Sequence, residues 1–67
     1  MWENLDDLEK EILTFMGSRQ RVTRAELEKV TGKSAGTITT RLNRLISKGL
    51  IKRQGSKHDP MQSYVLG

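Results

Sequence analysis

The apolar positions of this chain recur every three or four residues in three stretches and alternate with polar ones near the end. Leu5, Leu8, Ile12, Phe15 and Met16 share one side of a helix, with Asp and Glu filling the gaps, which predicts a first helix from about Asn4 to Met16. Asn4 or Asp6 can cap its start, and Gly17-Ser18 stops it. Its acids read as capping and solubilising groups. Thr23 and Glu26 then have the spacing of a capping box, and Val22 with Leu27 fits a hydrophobic staple across it. The second helix is expected over residues 23–31, with Ala25, Leu27 and Val30 facing inward and Gly32 ending it in a left-handed turn. Ser34 is the expected N-cap of a third helix that runs to Lys48, buries Ile38, Leu42, Leu45 and Ile46, and closes at Gly49.

Beyond Gly49 the period changes. Leu50 to Gln54 alternates weakly and reads as a strand, Gly55 to Pro60 is rich in turn residues, and Ser63 to Leu66 reads as the returning strand. Arg21-Val22-Thr23 is short and β-tolerant, so a very short strand is expected before the second helix. The fold class is α+β, mainly α: three helices plus a C-terminal β-hairpin over about residues 50–66. The expected organisation is one domain spanning 1–67, because a chain of this length holds a single thin core.

At about 100° per residue, Thr37, Thr40, Arg41, Arg44 and Lys48 fall opposite the apolar stripe of the third helix, flanked by Gly36, Asn43 and Ser47. Three threonines within four positions make a poor intrinsic helix former, so tertiary packing must hold this helix. A short helix gripped by its apolar side, with cations and hydroxyls outward and no acid, has the shape and chemistry of a probe for the major groove of duplex DNA. Arg41 and Arg44 are the candidates for base-edge or phosphate contacts, since a guanidinium grips guanine O6 and N7 with two parallel hydrogen bonds. Thr37 and Thr40 can bond phosphates or bases, and Ser34 with the first N–H groups of the helix can hold a phosphate. Lys52, Arg53, Lys57 and His58 on the hairpin are placed to reach a minor groove or flanking phosphates, and Arg19, Arg21 and Arg24 to touch the backbone near the second helix.

Charge supports a polyanion partner more by its distribution than by its sum of +4. Residues 1–11 hold five acids and one base, whereas residues 12–67 hold eleven bases and three acids. The chain has no cysteine and one histidine, so no disulfide, thiolate site or multi-histidine metal site is expected, nor any cofactor. No run approaches the ~20 apolar residues of a membrane span. The expectation is a soluble protein, cytoplasmic or nucleoid-associated. Catalysis finds no support: no Ser or Thr has a base partner except His58, and no glycine-rich phosphate loop follows a strand.

Two stretches carry a resemblance. Gly32-Lys33-Ser34-Ala35-Gly36-Thr37-Ile38-Thr39 resembles the turn and recognition-helix start of bacterial helix-turn-helix regulators. Leu45-Ile46-Ser47-Lys48-Gly49-Leu50-Ile51-Lys52-Arg53 is similar to the junction between recognition helix and wing in MarR-type regulators. The whole order of elements looks like a winged helix-turn-helix. In length the chain is similar to small PapI-like pilus-operon regulators and equally to a domain cut from something larger; the long flanking helices that dimerise MarR-type proteins are not part of this sequence. Lys33 stands where such turns carry an aliphatic residue. Asp59 matches the acid of a MarR-type wing, but Met61 replaces the arginine that usually follows it. Thr40 and Asn43 do not reproduce the helix face of winged helices that bind Z-form DNA.

The resemblance implies a transcriptional regulator that reads double-stranded DNA, with the third helix in the major groove and the wing on flanking backbone or minor groove. DNA contacts are expected from Ser34, Thr37, Thr40, Arg41, Arg44, Lys48, Arg53 and Lys57. A homodimer or a larger protein partner is consistent with this reading. Two other functions stay open: a protein-interaction module, for which Trp2, Met16, Met61 and the acidic first helix offer a surface, and RNA binding, for which only Tyr64 and Trp2 can stack on bases.

Overall fold

Two capping boxes, a serine cap and two left-handed glycines cut this chain into its helices. The computed structural model describes residues 4–55 and 62–67. Its elements are α1 (Asp7–Gly17), β1 (Val22–Thr23), α2 (Arg24–Thr31), α3 (Ala35–Ser47), β2 (Ile51–Gln54) and β3 (Ser63–Leu66). Trp2, Lys57, His58, Asp59 and Met61 lie outside the described residues.

Asp6 is the cap of α1, so that helix starts two or three residues later than its apolar pattern suggests. Glu9 N donates to Asp6 Oδ1 at 2.8 Å, and Asp6 N donates to Glu9 Oε1 at 3.0 Å. Thr23 and Glu26 make the same reciprocal pair at the start of α2. Between them the two boxes satisfy four N–H groups at helix entrances. Ser34 caps α3 by accepting from Thr37 N at 3.3 Å. Gly32, at φ 72, ends α2 as its N–H donates to Glu28 O. Gly49, at φ 76, ends α3 in a Schellman motif: its N–H reaches Ile46 O and the Leu50 N–H reaches Leu45 O.

That last turn aims the chain straight into β2. The strand order is β1-β3-β2, with both pairings antiparallel. β3 therefore lies in the centre, opposing Val22 and Arg53 across Tyr64. The short strand expected before α2 is present, and its role is to cap the free edge of the hairpin. Three helices against a small antiparallel sheet make a winged helix-turn-helix, α+β and mainly helical.

The core joins every element: Leu5, Ile12, Leu13 and Met16 from the first segment, Val22 and Leu27 from the staple, Ile38, Leu42 and Leu45 from α3, then Ile51 and Tyr64. Leu8, Phe15, Ile46 and Leu50 pack against it partly buried. Two expectations need correction. Ala25 and Val30 do not face inward; both are exposed, Val30 by 47%. Ala25 sits about 160° around α2 from buried Leu27, and the buried arc runs from Leu27 towards Thr31, away from Val30. The acids of α1 are also not all solvated: Glu9 is fully buried.

Candidate nucleic-acid interface

The outward side of α3 is set by its inward side. Ile38, Leu42 and Leu45 are almost completely buried, so the residues opposite them must face away from the core. Thr40, Asn43, Arg44 and Ser47 are exposed, and with Lys48 they line an open depression of about 430 Å³. α3 carries no acid anywhere along its length. Arg53, at the start of the wing, turns its Nη2 towards Asn43 Oδ1 at 3.4 Å and so brings hairpin and helix faces together.

The hydroxyls of this face are partly occupied by the helix itself. The Ser34 hydroxyl donates to Thr37 Oγ1 at 3.0 Å, and the Thr40 hydroxyl donates to Gly36 O at 3.0 Å. Both threonine oxygens keep lone pairs, so they remain acceptors. Thr37 is half-buried and stands at the edge of the face rather than its centre.

The cations differ from one another in a way that helical spacing did not suggest. Arg41 leans back towards α1, its Nε 3.0 Å from Asp6 Oδ2, with its N–H misaligned for a hydrogen bond. Its side chain is only 27% exposed. Arg44 lies 3.8 Å from Glu9 Oε2 and stays about half exposed. Lys48 lies 3.5 Å from the same oxygen and donates to Asn4 O at 3.1 Å. Only Arg44 of the three therefore stands well out of the surface. Elsewhere, Arg19 pairs with Glu26 at 3.9 Å and stacks over the Phe15 ring, and Arg24 pairs with Glu28 at 3.2 Å. Lys52 and Arg53 are exposed on β2.

Glu9 is the residue that the sequence reading passed over. The signal was present: Glu9 stands three residues after Asp6, the capping-box spacing, and on the same stripe as Leu5, Ile12 and Met16. An acid on the apolar stripe of a helix must find buried partners. Here these are the Asp6 backbone on one oxygen, and Arg44 of α3 with Lys48 at its C-cap on the other. Among the described residues no cluster of His, Cys, Asp and Glu is arranged to hold a metal, and no helix is long and apolar enough to cross a membrane.

Known proteins match this arrangement. A family model described as "MarR family" matches residues 3–59. The reduced form of MarR from E. coli superposes with a TM-score of 0.84 at 28% identity, over 96% of this chain and 48% of that one. A mutant MarR from E. coli complexed with operator DNA gives 0.82 at 26% identity, over 94% and 46%. The adhesin competence repressor from Streptococcus pyogenes gives 0.84 at 19% identity, over 94% and 47%, a likeness of fold alone. The chain spans about half the length of these relatives. No curated protein matches. With the family model covering most of its length and the winged helix in place, the chain belongs to the MarR family.

Proposed function

We propose that this chain binds double-stranded DNA as the reading part of a transcriptional regulator, α3 entering the major groove and the β2–β3 wing lying along flanking backbone or minor groove. One observation carries the reading: the solvent side of α3 is free of acids, centred on exposed Thr40 and Arg44, and continuous with Arg53 on the wing. The MarR of E. coli crystallised with operator DNA shares this fold at 26% identity and supports the same mode of use.

Arg44 reads a guanine edge in this scheme, Thr40 meets a phosphate or a thymine methyl, and Ser34 and Thr37 lie where the helix N-terminus approaches a phosphate. Arg53 and Lys57 serve the flanking backbone. Arg41 and Lys48 join only by leaving Asp6 and Glu9. Two copies bound side by side would set two α3 helices about one helical turn apart.

The test is fluorescence anisotropy on a pool of random 20-base-pair duplexes over a salt series, with sedimentation run alongside to count copies per duplex. A face of this size makes about six to eight phosphate contacts, which predicts a slope of log K against log salt of about −5 to −7. A flat isotherm at low ionic strength for every duplex ends the proposal.

A further inference from the structure

Glu9 is completely buried, yet its Oε2 has no hydrogen-bond donor; what it has is Lys48 at 3.5 Å and Arg44 at 3.8 Å. Its other oxygen is committed to the Asp6 N–H, so the carboxylate cannot rotate away. Asp6, the partner in that capping box, faces Arg41 at 3.0 Å. One capping box at the start of α1 thus addresses three cations, Arg41 and Arg44 on α3 and Lys48 at its C-cap. A solvated acidic helix has no need of such placement, and a capping box has no need of the second oxygen.

We propose that Glu9 is a positioning residue for DNA binding: it holds Arg44 and Lys48 against α1 in the free protein, so that DNA must draw Arg44 away from it. This rests on the DNA-binding reading above. The pair is unequal. Lys48 is closer, less exposed and also bonded to Asn4 O, while Arg44 is farther and half exposed. Arg44 is the cation that departs, and Lys48 stays so that the buried carboxylate is never left alone, an arrangement that would be costly. A duplex that offers only phosphates gains little by taking Arg44 from Glu9. A duplex that also offers a guanine edge gains two directed hydrogen bonds. Glu9 therefore acts on specificity, by raising the threshold for non-specific binding.

The variant to make is Glu9→Gln, because the amide oxygen can still accept from Asp6 N and keep the cap while the charge is gone. Its fold is checked by thermal melt. Releasing half-exposed Arg44 from its buried partner is expected to tighten binding to a mixed-sequence duplex about fivefold at about 0.1 M salt. The salt slope should stay close to that of the wild type, because the same phosphates are neutralised and a fully buried carboxylate still held by Lys48 takes up no solvent cation. Binding no tighter than wild type overturns the assignment. Should the wild type bind no duplex at all, the DNA reading fails, and the tether is then read without DNA. The Lys48 ammonium should give a resolved 15N resonance, slow to exchange with water, in the wild type and lose it in Glu9→Gln. The wild-type resonance should persist when duplex is added. If no such resonance exists in the wild type, Glu9 holds no cation and the proposal is wrong, even if the variant does not fold.

Discussion

Single side chains decide what α3 can touch. Arg41, Arg44 and Lys48 carry the same charge and lie on the same face by spacing, but Asp6, Glu9 and the Asn4 carbonyl divide them. Arg44 is left as the most exposed of the three. Arg44→Ala should therefore weaken binding to a selected site by about 1–3 kcal/mol, the worth of a bidentate base contact, and weaken binding to mixed sequence by less. Anisotropy titrations on the two duplexes read the difference. Equal losses on both would assign Arg44 to phosphate alone. The fold should survive this change, since Lys48 still partners Glu9.

At the scale of elements, the helices are fixed by their ends more than by their interiors. α2 has only eight residues and one fully buried side chain, so its caps weigh heavily. Thr23→Ala removes the hydroxyl that accepts from Glu26 N and should cost about 1 kcal/mol, seen as a fall of ~4–8 °C in Tm. Gly32 and Gly36 make a controlled comparison. A Cβ at either would meet nothing within 4 Å, so neither substitution is limited by space. Gly32 has φ 72 while Gly36 lies in the helical backbone of α3. Gly32→Ala should then destabilise by about 1–2 kcal/mol, and Gly36→Ala should stabilise by up to about 1 kcal/mol. Thermal melts of the two variants should move in opposite directions; a rise in both would mean that the turn relaxes to accept a side chain.

The whole molecule depends on its last strand. β3 is the middle of the sheet, pairing β1 on one side and β2 on the other, and it places Tyr64 in the core. A domain of this size has a stability of only about 3–10 kcal/mol. Removing residues 63–67 exposes Val22 and Ile51 together and leaves both outer strands unpaired. We expect the cooperative thermal transition to disappear and DNA binding with it. A sharp transition in the truncated chain would mean that the three helices are self-sufficient.

How much of this was legible follows from the range of each interaction. The sequence alone determined the three helices, their caps at Thr23 and Ser34, the glycine stops and the order helix, short strand, two helices, hairpin. Those features depend on residues three or four apart, or on a backbone angle that only glycine adopts readily. It also determined the buried stripe of α3 at Ile38, Leu42 and Leu45, because burial there is a matter of period, while Ile46 at its edge is only partly covered. The state of the charges was set by packing across the fold. Asp6 and Glu9 meet Arg41, Arg44 and Lys48 across more than thirty residues of chain, through the packing of α1 on α3, and no local pattern encodes which cation a carboxylate will meet. The exposure of Ala25 and Val30 was settled in the same way, by which side of α2 its neighbours cover. Periodicity names the face that turns from the core; only the neighbours in space decide which of its charges remain free to act.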